Sequence, residues 1–132
     1  MASPSLPRIR VFVDSSVLFA AAASATGASR ALIVLAELGL LRLIVSPQVL
    51  DEVQRNLAAK SPAALFYFHR LQSAMDWEIV DEPSPEQVQS CLTLIAAKDA
   101  PILAAAIAAR PHRLVTLDVH DFGHPAIQQQ VA

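Results

Sequence analysis

The sequence predicts an α/β fold, a three-layer α/β/α sandwich with helices on both faces of a central parallel sheet. Short β-branched segments alternate with longer helical segments, as in sheets whose parallel strands are joined by crossover helices. Apolar residues make up 54% of the 132 residues and charged residues 17%, which is enough to fill the core of one domain. Serine-proline and glycine signals separate the segments.

The chain is expected to form a single domain over residues 8–132, preceded by a disordered leader over residues 1–7. The basic and apolar residues that begin the domain imitate a secretory signal, but Asp14 and two serines interrupt the apolar run. No apolar run reaches the length of a membrane span, and a single cysteine, Cys91, forms no internal disulfide. We therefore expect a cytoplasmic protein without a membrane partner.

The first half of the chain holds two predicted strands. Ile9–Val13 is the first, because it is rich in β-branched residues. A helix is expected to begin at Ser15–Ser16, and a second helical segment over Arg30–Leu38 ends at Gly39. Leu40–Val45 is the second strand and is nearly all apolar, as expected when helices cover both faces of a sheet.

Three later helices share one start signal, a serine followed by a proline. The pairs are Ser46-Pro47, Ser61-Pro62 and Ser84-Pro85. A serine side chain caps the first turn, and proline suits the first helical position. Ser84 and Gln87 also fit a capping box. A short strand over Trp77–Val80 lies between the second and third of these helices.

The last part of the chain contains a further helix and a strand. The helix opens at Asp99 and runs to about Ala109, because a proline follows it. Arg113–Leu117 is the last clear strand, residues 118–123 form a loop, and residues 124–132 are predicted to form a final short helix.

Four carboxylates are predicted to meet at one edge of the sheet. Asp14 and Asp118 follow the first and last strands, so both lie at the carboxyl ends of parallel strands. Glu52 lies in the second turn of the helix that begins after the second strand, and Asp99 opens a helix that returns to the last strand. All four therefore belong to the same edge, although the lateral order of the strands does not follow from the sequence.

Such a cluster suits Mg²⁺ or Mn²⁺, which prefer oxygen ligands. A pair of these ions can activate water and stabilise the leaving oxygen in phosphodiester hydrolysis. Asp121 is a further candidate ligand, and the hydroxyls of Ser16 and Thr116 are candidate hydrogen-bond partners of the carboxylates or of a metal-bound water.

Taken alone, each acid other than Asp14 also has a ready structural interpretation. Asp99 would cap its helix, and Asp118 and Asp121 would form turns. Glu52 would be a solvated residue beside an apolar stripe. Asp14 resists such an interpretation, because its neighbours are strongly apolar and an unpaired carboxylate is costly to bury.

Four segments of the chain resemble the PIN-domain family in sequence and order. They are Val11–Leu18, Ser46–Val53, Asp99–Ala106 and Val115–Phe122. The resemblance spans about residues 9–122 and is closest to the short single-domain members that include the VapC-type toxins. It implies a metal-dependent endoribonuclease that hydrolyses RNA phosphodiester bonds. The acidic quartet of the family, with one auxiliary acid, corresponds here to Asp14, Glu52, Asp99, Asp118 and the auxiliary Asp121.

The resemblance also implies partners: an RNA substrate, a second copy of the chain and an antitoxin protein. The high apolar fraction leads us to expect a homodimer through helices of the Gly27–Leu71 region, with an antitoxin segment docked in an apolar groove between them. The last strand of the family has no convincing counterpart in residues 124–132. We therefore expect that strand to be missing or replaced by a helix.

An inactive or weakly active PIN-like scaffold for protein or RNA binding is the alternative interpretation. The net charge of −2 is not that of a general polyanion binder. The basic residues that are candidates for holding RNA form no sequence patch: Arg30, Arg55, Lys60, Arg70, Lys98 and Arg113. The presence of all four acids favours the nuclease.

Overall fold

The computed structural model describes residues 8–118, in which a parallel sheet lies between helices. The strands are β1 (Ile9–Val13), β2 (Leu41–Val45), β3 (Glu78–Ile79) and β4 (Arg113–Val115). The helices are α1 (Ser15–Ala23), α2 (Ala28–Glu37), α3 (Pro47–Lys60), α4 (Pro62–Ala74), α5 (Pro85–Cys91) and α6 (Ala100–Ala109). The predicted α/β sandwich is therefore confirmed. Some predictions concern residues outside this range: those for the leader, for the end of the last loop, for the final helix and for the absence of a last strand.

The strand order β3-β2-β1-β4 places β1 inside the sheet, between β2 and β4. Every pairing between these strands is parallel. Phe12 lies opposite Ile44 on one side, and Val13 lies opposite Val115 on the other. Asp14, which follows β1 directly, is thereby flanked by the carboxyl ends of both neighbouring strands.

The hydrophobic core is built from the carboxyl halves of the strands and from α6. Phe12, Val13 and Ile44 are fully buried, because helices cover both faces of the sheet. Helix α6 is apolar on every side and buries residues 102–106, as expected of a helix inside a core. The core therefore holds the ends of β1 and β2 and the start of α6 in fixed relative positions.

The predicted helix signals are used in different ways. Ser46 caps α3 by accepting a hydrogen bond from the Val49 N–H group, and Ser84 and Gln87 form the predicted capping box at α5. Ser61 stands at the start of α4, but its side chain makes no capping hydrogen bond. Gly39 ends α2 with a positive φ of 78°, the conformation that glycine adopts most readily.

Three predicted strands are shorter in the structure, and β2 begins at Leu41 rather than at Leu40. The segment predicted over Trp77–Val80 forms a ladder only at Glu78–Ile79. The last strand is predicted to reach Leu117 but ends at Val115. The backbone N–H groups that follow donate to side-chain hydroxyls rather than to a neighbouring strand. The Leu117 N–H group donates to the Ser16 hydroxyl at 3.0 Å.

Three arginines are engaged in ion pairs around β3. Arg8 donates to Asp76 at 3.0 Å, with Arg42 at 3.7 Å from the same carboxylate, and Arg10 pairs with Glu78 at 2.5 Å. The hydrogen bond from Arg8, aided by the charge of Arg42, holds the pKa of the exposed Asp76 below its usual value. Such exposed pairs contribute little to stability, but they direct these cations away from the acids predicted to form the site.

In residues 8–118, no helix by itself has the length and apolar character needed to cross a membrane. Helices α1 and α2 meet those two criteria only when they are counted together, and they are bent by 92° where they join.

Candidate metal centre

Asp14 lies at the junction of β1 and α1, where the chain passes from strand to helix without a linker. Its side chain is 3% exposed. Oδ1 accepts hydrogen bonds from the Ser16 hydroxyl at 2.6 Å and from the Val17 N–H group at 3.2 Å, and Oδ2 accepts one from the Thr116 hydroxyl at 2.5 Å. Asp14 is thus the N-cap of α1. An ionised carboxylate has about four acceptor sites, so these donors leave room for a cation as well.

Thr116 connects Asp14 to Asp118. Its hydroxyl donates to Asp14 Oδ2 and accepts a hydrogen bond from the Asp118 N–H group at 2.9 Å. Ser16 makes a parallel connection, since its hydroxyl donates to Asp14 and accepts from the Leu117 N–H group. Both hydroxyls therefore donate to the Asp14 carboxylate. Together they attach the segment after β4 to the start of α1.

Glu52 is half-buried in α3 and is held toward α1. Its Oε2 atom accepts a hydrogen bond from the Ser15 hydroxyl at 2.9 Å, and its Oε1 atom accepts one from Gln48 Nε2 at 3.3 Å. Gln48 Nε2 also lies 3.3 Å from the carbonyl oxygen of Lys98. Glu52 is therefore not a freely solvated residue, and Gln48 connects it to the segment that precedes α6.

Asp99 stands at the N-cap position of α6 and is 9% exposed. Its side chain makes no hydrogen bond to the N–H groups of the first turn of that helix. The Asp99 Oδ2 atom lies 3.9 Å from Lys98 Nζ, whose side chain is mostly exposed. The Asp99 side chain therefore does not cap the helix, although capping is the structural interpretation that the sequence left open for it.

Four acids thus occur at the carboxyl edge of the sheet, and we refer to them as the edge carboxylates: Asp14, Glu52, Asp99 and Asp118. Two hydrogen-bonded groups hold them. The first group joins Asp14 to the segment of Asp118 and includes Ser16. The second group joins Glu52 to the segment of Asp99 and includes Ser15. Asp121, the predicted auxiliary ligand, lies outside residues 8–118.

The edge carboxylates do not form a closed metal cage. Within residues 8–118, no three acidic, histidine or cysteine side chains are grouped closely enough to enclose one ion. Mg²⁺ nevertheless keeps several waters and is commonly held by only one or two carboxylates together with phosphate oxygens. The donors here are hard oxygen atoms, so the residues suit such an open site for Mg²⁺ or Mn²⁺ rather than an all-protein site.

The polar residues that support Glu52 were not identified from the sequence. The sequence predicts Ser15 only as part of a helix start and predicts no role for Gln48. Gln48 precedes Glu52 by four residues, a spacing that places both on one helix face, and this was the available signal. The contact of Ser15 with α3 depends on helix packing and had no such local signal.

Comparison with known families identifies a PIN domain. The model of the PIN domain matches residues 10–120. This range includes every edge carboxylate and nearly the whole described sheet. PIN domains are generally nucleases, and they generally use divalent metals. No curated protein matches the chain.

Proposed function

The chain belongs to the PIN-domain family, and we propose that it is a metal-dependent endoribonuclease of the VapC-like kind that hydrolyses RNA phosphodiester bonds. The observation that carries the proposal is the presence of all the edge carboxylates at one sheet edge. The buried Asp14 directly follows β1, which is an interior strand of the sheet. A bound Mg²⁺ or Mn²⁺ would supply an activated water and neutralise charge on the phosphate. We propose that the edge carboxylates hold it, with Asp121 as an auxiliary ligand.

The protein's own contribution is to orient these oxygen atoms before RNA arrives. Asp14 has three donors fixed by α1 and by the segment after β4. Glu52 has two donors, Ser15 and Gln48, from different helices. Carboxylates restrained in this way lose little conformational freedom when a cation binds, which is what a precise site on rigid elements requires.

The alternative proposal is a PIN-like scaffold that binds RNA or protein without cleaving it. A scaffold for RNA would need cations at its binding surface. Arg8, Arg10 and Arg42 are instead paired around β3. Lys98 lies near an edge carboxylate, with its Nζ atom 3.9 Å from Asp99 Oδ2, but its side chain is mostly exposed. An acidic edge attracts RNA only with metal bound, which favours the nuclease over the scaffold.

We expect purified protein to cleave single-stranded RNA with millimolar Mg²⁺ or Mn²⁺ and not with a chelator. We also expect the melting temperature to rise by several degrees with metal, because ligands bound only by the folded state stabilise it by about 2.7 kcal/mol at a hundred times their Kd. Melting curves with metal and with chelator measure the shift. Calorimetric metal titration measures the affinity of the wild type and of a variant with all edge carboxylates changed to amides. Equal melting curves with metal and with chelator, without cleavage, would favour the scaffold.

We propose a homodimer through α2 and α4, and the exposed apolar residues support it. Leu38 and Leu40, at the end of α2, are 68% and 61% exposed, and Phe66 on α4 is 72% exposed. The start of α2 contacts α4, since the Arg30 guanidinium lies 4.2 Å from the centre of the Tyr67 ring. The same surface would receive an apolar antitoxin segment in a toxin-antitoxin pair of the cytoplasm.

Light scattering at micromolar concentration is expected to give the mass of a dimer, and Leu38→Glu is expected to give a monomer, because a charge at this apolar surface opposes its burial. Leu92→Glu is the matched control, since Leu92 is also exposed but lies after α5. A clean wild-type monomer, or equal masses for the two variants, would contradict this interface.

A further inference from the structure

We propose that a cleft beside the edge carboxylates binds one nucleobase of the RNA strand, an inference that rests on the proposed nuclease function. The cleft has a volume of about 400 Å³, which is within the range of small-ligand sites. It lies between the starts of α3 and α6 and the segment around the start of α5. Its walls include Gln48, Gln89, Glu82 and the rings of Pro83, Pro85 and Pro101.

One side chain, that of Gln48, borders both the cleft and the candidate metal centre. Gln48 lines the cleft, and its Nε2 atom donates to Glu52 Oε1 at 3.3 Å. Pro101 also lines the cleft and follows Asp99 by two residues. A base in the cleft would therefore belong to a nucleotide next to the phosphate held at the edge carboxylates.

The walls suit a flat, uncharged group better than a phosphate. No lysine or arginine is among the described residues that line the cleft, and Glu82 carries a negative charge that repels anions. Proline rings provide rigid apolar surface and lose almost no side-chain entropy on contact. RNA-binding proteins stack unpaired bases on aromatic or guanidinium planes and hydrogen-bond the base edges; in this cleft the proline rings would take the place of those planes.

The polar groups of the cleft favour a base with an exocyclic amino group. Within residues 8–118, neither Glu82 nor Gln89 has a side-chain hydrogen bond, and both side chains are solvent-accessible. An ionised carboxylate only accepts hydrogen bonds, so Glu82 pairs well with the amino group of cytosine, adenine or guanine. Uracil presents a carbonyl oxygen at the corresponding position of cytosine and is disfavoured.

Binding can be tested without cleavage by titrating the full chain with cytidine and with uridine in chelator and following the side-chain amide resonances of the glutamines. We expect cytidine to shift the Gln48 and Gln89 resonances and to bind about tenfold more tightly than uridine. Glu82→Gln is expected to remove this preference, because an amide both donates and accepts. Glu86→Gln is the matched control, since Glu86 is an exposed acid of α5 that is not among the lining residues.

Sequencing of the products from a randomised RNA provides the second measurement. We expect uracil to be depleted at one position beside the cut for the wild type and for Glu86→Gln, and not for Glu82→Gln. Amide shifts without any cleavage would support the base site and contradict the proposed nuclease. Cleavage without a base preference that depends on Glu82, or cytidine and uridine binding equally, would overturn the base site and leave the nuclease intact.

Discussion

Replacing Asp14 with asparagine is expected to abolish metal-dependent RNA cleavage and to lower the free energy of unfolding in chelator by about 1–3 kcal/mol. Activity should be lost because the amide has no charge for the cation, while the shape of the side chain is kept. Asparagine caps helices as well as aspartate does, so Oδ1 can keep the donors Ser16 and Val17. The amide nitrogen cannot accept from Thr116, and a short hydrogen bond to a charged oxygen is lost.

The sign of the stability change distinguishes two effects. Relief of repulsion between carboxylates at one sheet edge would stabilise an amide variant without metal. The structure makes this effect the smaller one, because no three acids in residues 8–118 form a tight group, and charges separated by water repel weakly. The buried Asp14 instead accepts three hydrogen bonds. Loss of the Thr116 bond should therefore outweigh relieved repulsion.

The measurement is a nuclease assay with Mn²⁺ together with chemical denaturation in chelator, for the wild type and for Asp14→Asn. Asp51→Asn is the matched control, since Asp51 is an exposed acid of α3 beside Glu52. The control should cleave and unfold like the wild type. Undiminished cleavage by Asp14→Asn would remove Asp14 from the site, and a more stable metal-free variant would show that repulsion dominates.

The fold could be predicted from the sequence because its signals are local. Serine-proline helix starts, apolar strands and the glycine at the end of α2 act over a few residues, and each appears in the structure near its predicted place. The order of the strands could not be predicted, because it depends on which apolar surfaces pack together across the whole domain. The interior position of β1, which puts Asp14 between two strand ends, is known only from the structure.

For the acids, the sequence predicts the sheet edge but not their spacing, since no three of them in residues 8–118 lie closely enough to hold one ion. Parallel topology was sufficient to assign all the edge carboxylates to one edge, because every strand end and every returning helix start lies there. It was not sufficient to predict their hydrogen-bond partners. The contact between Ser15 and Glu52 joins residues 37 positions apart, and the contact between Thr116 and Asp14 joins residues 102 positions apart. Such contacts are set by packing and register rather than by local sequence.

The hydroxyl of Thr116 contacts two of the acidic residues at the carboxyl edge of the sheet, and its removal is therefore expected to affect both stability and metal binding. It donates to Asp14 Oδ2 and accepts from the Asp118 N–H group. Valine has the same shape but no hydroxyl, so Thr116→Val leaves a buried carboxylate oxygen without its donor and an N–H group without its acceptor. We expect stability to fall by about 1–3 kcal/mol and metal affinity to fall about 10–100-fold, the usual cost of losing a residue that orients a metal ligand.

Metal titration by calorimetry, melting in chelator and the RNA cleavage assay measure these effects on one set of variants. Thr116→Ser keeps the hydroxyl and is expected to retain most of the metal affinity, which separates loss of the hydrogen bonds from loss of the methyl group. Thr93→Val is the exposed control and should resemble the wild type. If Thr116→Val were as destabilised as expected but bound metal with unchanged affinity, Thr116 would be a structural residue of the β4 end and not a positioning residue for Asp14.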